Sequence, residues 1–103
     1  MVEPIQVIET TQYRQWLDAL RDEAAKARIA ARARRLEAGL FGNTRSVGGG
    51  VSELKLDFGP GYRVYFGRKR NRLILLLCGG DKSTQRRDIV EALEIWERWK
   101  DKI

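Results

Sequence analysis

The sequence predicts an α+β fold of the order β-α-α-β-β-β-α, a largely antiparallel four-stranded sheet with its helices packed on one face. Three observations lead there. Two stretches before residue 40 carry apolar residues at helical spacing, the segment from Ser52 to Phe66 alternates with the period of two that marks half-buried strands, and a last helical stripe closes the chain. With 103 residues the chain is long enough to bury a core, and it is read as one domain over residues 1–103.

Residues 5–8, "IQVI", form the first strand, and Pro4 fits at its beginning because it has no N–H to give to a ladder. Tyr13, Trp16, Leu17 and Leu20 then fall at i, i+3, i+4 and i+7, a helix that Thr10 or Thr11 caps. A second helix runs from about Asp22 to Ala38 with Ala25, Ile29, Ala33 and Leu36 on one side, and Gly39 ends it. Its other side carries Lys26, Arg28, Arg32, Arg34 and Arg35. Residues 42–50, "GNTRSVGGG", are glycine-rich and unpatterned, and are read as a mobile loop; no helix start follows the glycines, so they are not a phosphate cradle.

In "SELKLDF" Leu54, Leu56 and Phe58 alternate with Glu53, Lys55 and Asp57, and in "YRVYF" Tyr62, Val64 and Phe66 alternate with Arg63 and Tyr65. The intervening "GPG" marks a hairpin. Opposed residues share a face, so a three-residue loop that sets Phe58 against Tyr62 is expected, with Asp57 opposite Arg63 and Lys55 opposite Tyr65 on the outward face. "RLILLLCGG" reads as a strand covered on both faces, fed by the turn "RKRNR". Ser83 or Thr84 opens the last helix, whose stripe is Ile89, Ala92, Leu93 and Trp96; the tryptophans are read as packing residues rather than base-stacking platforms.

Twenty Lys plus Arg against fourteen Asp plus Glu give a net charge of +6, which points to an anionic partner. The lone cysteine, Cys78, excludes an internal disulfide, and with no histidine a zinc site or a histidine-based nuclease or hydrolase is excluded. The opening "MVEPIQVIETTQ" lacks the charged start and long apolar run of a secretion signal, and "LILLLC" is too short to span a bilayer, so a cytoplasmic protein without membrane contact is expected.

The outward face of the hairpin is the candidate site. It offers Lys55, Arg63 and Tyr65, with Lys82 beside a helix start, a set suited to a phosphodiester. Arg63 can grip phosphate oxygens with two prongs and stabilise a pentacoordinate transition state, Lys82 reinforces that field, and Lys55 is a candidate acceptor of the 2′-hydroxyl proton of RNA. The alternative is a solvated face of mixed charge.

"ELKLDFGPGYRVYF" followed by "LLLCGGDKSTQRRDIVEAL" resembles the RelE/ParE superfamily of toxin–antitoxin toxins, and within it the HigB-like group also labelled addiction module killer proteins or phage-derived Gp49-like proteins. The resemblance covers nearly the whole chain. It implies a cofactor-free, metal-independent endoribonuclease that cleaves messenger RNA on the ribosome, inhibits translation, and is neutralised by a cognate antitoxin, a small helix-turn-helix protein encoded adjacently. The family's catalytic cations fall on Lys55, Arg63 and Lys82. RelE toxins also place a lysine where this chain has Glu53 and a tyrosine where it has Asp88, which leaves Glu53, Asp88 or Tyr65 as further catalytic candidates. Lys26, Arg28, Arg32, Arg35, Arg68, Lys69 and Arg86 are the candidate contacts to RNA and ribosome. ParE-type members of the superfamily instead inhibit DNA gyrase by binding it, and fold alone does not separate the two.

Overall fold

The computed structural model describes residues 4–103. Glu3, part of the N-terminal stretch read against a secretion signal, lies outside the described residues. The elements are β1 (Gln6–Glu9), α1 (Thr11–Ala19), α2 (Glu23–Arg34) continued by a 3-10 turn (Arg35–Ala38), β2 (Thr44–Gly48), β3 (Val51–Lys55), β4 (Arg63–Lys69), β5 (Leu73–Gly80), a 3-10 turn (Lys82–Thr84) and α3 (Gln85–Trp99). Among the described residues no helix is long and apolar enough to cross a membrane.

The α+β class holds, with two corrections. The sheet has five strands in the order β1-β5-β4-β3-β2, all pairs antiparallel except β1 with β5. The additional strand lies in the segment expected to be a loop: Arg45 stands opposite Glu53 and Thr44 opposite Leu54. A strand forms there because Gly48, Gly49 and Gly50, all at positive φ, reverse the chain within three residues and return it as β3.

The second correction concerns the layers. Helices α1 and α2 cover one face, where Tyr13, Leu17, Ile29 and Leu36 pack on Leu54, Val64, Phe66, Ile74 and Leu76. Helix α3 covers the other, where Ala92, Ile95 and Trp96 pack on Val51, Tyr65, Leu75 and Leu77. Both faces of β3, β4 and β5 carry apolar residues, so helices on one side alone would leave the second set in water, at a cost of about 25 cal/mol per Å². Strand β5 is buried on both faces, as its continuous apolar run predicts. A bulge opposite β4 sets Tyr65 against Cys78 and Phe66 against Leu76, and the extra residue, Leu77, joins Cys78 on the α3 side.

Local signals place the helices. Thr10 caps α1, accepting from the Tyr13 N–H at 3.1 Å and donating its hydroxyl to the carbonyls of Leu76 and Leu77, which ties α1 to β5. Asp22 caps α2, and Gly39 ends its 3-10 extension at φ 74°. Thr84 stands at the N-cap of α3, as expected, without a side-chain cap bond, and the 3-10 turn before it is capped by Asp81, whose carboxylate accepts from the Ser83 N–H at 2.8 Å.

The hairpin register also differs by two residues from expectation. Lys55 stands opposite Arg63, Glu53 opposite Tyr65, and Asp57 leaves the ladder for a loop, residues 57–61. Gly59 at φ 58° and Gly61 at φ 78° let that loop close with the Gly61 N–H on the Phe58 carbonyl. The Phe58 ring is then held against Tyr62, 5.6 Å between centroids, and under the Arg28 guanidinium at 3.9 Å. A two-residue shift preserves the alternation of faces, so the polar residues stay together while their partners change.

Candidate functional site

Two rungs that share one face of the sheet, either side of the Leu54–Val64 pair, carry the site. In one, Arg45 of β2, Glu53 of β3, Tyr65 of β4 and Cys78 of β5 stand opposite one another in turn; in the other, Lys55 pairs with Arg63 and Arg63 with Gly80. These positions face the α3 side, which is not an open solvent face: Arg63 is 6 % exposed and Tyr65 is fully buried. The start of α3 lies close over the sheet because Gly80 has no side chain. A Cβ there would lie 1.8 Å from Oδ2 of Asp88.

Glu53 is the centre of the arrangement. Only 2 % exposed, it accepts hydrogen bonds from Arg45 Nε at 3.0 Å and Gln85 Nε2 at 2.9 Å, and its Oε1 lies 3.7 Å from Arg63 Nε. Burial works to raise its pKa, but the hydrogen bonds from Arg45 and Gln85 and the charges of Arg45 and Arg63 outweigh it and hold the carboxyl below the ordinary glutamate range. Glu53 is therefore an ionised carboxylate with one hydrogen bond on each oxygen.

Arg63 donates Nη1 to the Gly61 carbonyl at 2.7 Å, and the backbone N–H of Lys82 reaches the adjacent Pro60 carbonyl, so the hairpin loop joins these two cations. Lys55 is exposed beside Arg63. Two buried polar atoms lack a hydrogen-bond partner among the described residues, Arg63 Nε and the Tyr65 hydroxyl. Burial, with the Glu53 charge nearby, pushes the Tyr65 phenol well above its ordinary range, so it stays protonated. Asp88, also buried, accepts the Thr84 hydroxyl and lies 3.8 Å from Arg87 Nε in the first turn of α3, where the helix dipole favours a carboxylate.

Of the sequence-predicted site, the structure brings Lys55, Arg63 and Lys82 to one end of the hairpin, with Tyr65 beneath and Asp88 in the helix above. Arg45, Glu53, Gln85 and Asn43 complete an open cleft of about 370 Å³ with Lys55 and Arg63. Arg45 and Asn43 lie in the glycine-rich segment, where the one strand signal is the pair of β-branched residues Thr44 and Val47 on either side of Arg45. A second cleft of about 360 Å³, lined by Arg28, Arg32 and Arg35 of the α2 region, shares Asn43 and Lys55 with the first. The result is one cationic track from α2 to Arg63.

The other candidate contacts lie elsewhere. Lys69 is at the far end of β4, about 20 Å along the strand from Arg63, and donates to the Lys100 carbonyl. Arg68 stacks on Phe41 at 4.5 Å and bonds Asn71. Lys26 pairs with Glu23, and Arg86 is exposed on the first turn of α3.

A family model described as Phage derived protein Gp49-like (DUF891) matches residues 15–100. The chain belongs to this family. Gp49-like proteins are associated with toxin–antitoxin systems. An uncharacterised protein of Haemophilus influenzae is 49 % identical over 88 residues, 85 % of this chain and 89 % of its own length. The span matched by the Gp49-like model contains every residue of both clefts.

Proposed function

We propose that this Gp49-like protein is the toxin of a type II toxin–antitoxin system: an endoribonuclease of RelE/HigB type that cuts messenger RNA on the ribosome, inhibits translation and is neutralised by a cognate antitoxin. The observation that carries the reading is the pairing of Lys55 with Arg63 where the two cationic clefts meet. A polyanionic strand lying over Arg28, Arg32 and Arg35 would bring one of its phosphodiesters to Arg63.

In this reading the RNA 2′-oxygen attacks phosphorus and the bond to the 5′-oxygen breaks. Arg63 stabilises the extra charge on the non-bridging oxygens, and Lys82 adds to the field across the Gly61 loop. The neutral amine of Lys55, formed when its ammonium gives a proton to water, accepts the 2′-hydroxyl proton, and the ammonium so regenerated, or water, gives a proton to the leaving 5′-oxygen. Lys55 takes this role because Glu53 is buried and held by Arg45 and Gln85, Asp88 is tied to Thr84, and Tyr65 is buried and protonated.

The test is induced expression without a partner, followed by labelled amino-acid and thymidine incorporation and by primer extension on a known message. Amino-acid incorporation is expected to fall first, with new 5′ ends in translated messages. DNA synthesis falling first, with gyrase-linked breaks, would replace this reading by the ParE-like one.

A further inference from the structure

The arrangement around Glu53 leaves two arginines incompletely used. Arg45 engages Glu53 through Nε alone, with no other hydrogen bond among the described residues, and its side chain is 63 % exposed. Both its terminal amino groups are therefore available on the rim of the cleft. Arg63 is anchored by one terminal nitrogen on the Gly61 carbonyl, while its Nε, 3.7 Å from Glu53, is buried without a hydrogen bond. One carboxylate thus stands between two guanidinium groups arriving from opposite neighbouring strands. Gln85 fixes its other oxygen from above.

We propose that Glu53 is a positioning residue: its buried carboxylate aligns Arg45 and Arg63 into a paired clamp for a single phosphate group, with Arg45 the arm that contacts the anion from the β2 side. A guanidinium that spends its Nε edge on a carboxylate presents its remaining donors as a planar fork, the geometry that matches phosphate oxygens. An unanchored arginine on an edge strand would lose side-chain entropy when the anion binds; Glu53 imposes that order beforehand. Among the described residues the groups facing this carboxylate are Arg45 from β2, Arg63 and Tyr65 from β4, and Gln85 from α3; the charged ones are cations, and they keep it ionised. The inference rests on the phosphodiester reading for its ligand class, but not on cleavage.

The clamp makes a prediction of sign. If Glu53 acted only through its charge, Glu53→Gln would remove a negative group beside the site and tighten anion binding. If it positions the arginines, the same change weakens binding although the site becomes more positive.

The experiment follows the arginine Nε–H signals of the folded full chain by two-dimensional NMR while inorganic phosphate is titrated in. In the parent protein the Arg45 and Arg63 signals are expected to move together with one dissociation constant. Arg45→Lys should weaken phosphate binding about tenfold with the fold intact, since the fork is lost and the charge kept. Glu53→Gln should weaken it several-fold and speed solvent exchange at the Arg63 Nε–H. Should Glu53→Gln fail to fold, Gln85→Ala, which loosens the carboxylate without changing charge, should weaken binding about threefold. Unchanged or tighter binding in the folded Glu53→Gln or Gln85→Ala protein, or separate responses of the two arginines, would overturn the proposal. Phosphate binding as described in a protein that cuts no message would leave the clamp standing and remove the nuclease reading.

Discussion

Trp96 of α3 lies flat on the backbone of Gly67 in β4: a Cβ at Gly67 would fall 2.2 Å from the indole Cε3. On the opposite face Trp16 of α1 covers Gly79 of β5 in the same way, at 2.3 Å. Each face of the sheet thus seats one large ring on a strand glycine, which is how helices pack closely on both sides of two adjacent strands. A rigid indole cannot yield as a flexible side chain can. Gly67→Ala and Gly79→Ala should each destabilise the protein by about 1–3 kcal/mol, measured by denaturant unfolding. Wild-type stability in both would refute the tight seating.

Much of this fold is legible in the sequence, and the part that is not has a definite origin. The run "LILLLC" announces a strand buried on both faces, and alternation alone put Lys55 and Arg63 on one face even with the register two residues away, because face depends on parity and not on the partner. Strand β2 was illegible because an edge strand buries little: only Thr44 and Val47 are even half-buried, so selection for apolar residues is weak and glycine dominates the segment. With that strand went Arg45. The side covered by α3 was illegible for a related reason. Glu53, Lys55, Arg63 and Tyr65 read as a polar solvent face, whereas Val51, Tyr65 and Gly67, which share their parity, form the floor on which α3 rests.

Acid should expose the Glu53 network. Its carboxyl is held below the ordinary value of 4.5, so the ionised form belongs to the fold. That contribution is present above the unfolded pKa and is lost as pH falls through the lower folded one. Asp81, held down first by the Ser83 hydroxyl, adds in the same window. With no histidine in the chain, the melting temperature should be nearly flat from about pH 8 to about pH 5 and fall below about pH 4.5. Glu53→Gln should fall less steeply; equal slopes for the two proteins would remove Glu53 from the acid transition.

The cationic track makes a prediction about salt. Arg32 and Arg35 line the α2 cleft, while Arg28 also stacks on Phe58 and contributes to the hairpin tip. Arg32→Ala and Arg35→Ala should each reduce the slope of log K against log salt for a single-stranded RNA by about 0.7. Arg28→Ala should do so and lower the melting temperature as well, by a cation–π contribution of about 0.5–1 kcal/mol. Fluorescence anisotropy over a salt series measures all three. Unchanged slopes would make the α2 face a solvated surface.

Lys55 separates charge from proton transfer. Lys55→Arg keeps a cation where the two clefts meet but supplies a side chain that does not give up its proton in proteins. Message binding should be retained while cleavage falls by about a hundredfold, within the range for loss of a general base. Full activity in Lys55→Arg would reassign Lys55 to electrostatic support and leave the 2′-hydroxyl proton to water.

Arg63 is the residue on which cleavage should depend most. It stands on a central strand and faces Glu53, and the hairpin loop anchors its guanidinium through the Gly61 carbonyl, so strand and loop together set its position. Arg63→Ala should remove a preorganised charge worth about 3 kcal/mol at the transition state, or about a hundredfold in rate. The same change strips one counter-charge from buried Glu53, so some stability is lost as well, and the comparison must be made on demonstrably folded protein. Arg63→Lys should recover only part of the rate, because an ammonium lacks the two-pronged grip. A purely structural Arg63 makes the opposite prediction: a lower melting temperature with undiminished cleavage by the folded fraction. Single-turnover cleavage of ribosome-bound message decides between them, and a folded Arg63→Ala protein working within about threefold of the parent, well under 1 kcal/mol of barrier, would end the catalytic assignment.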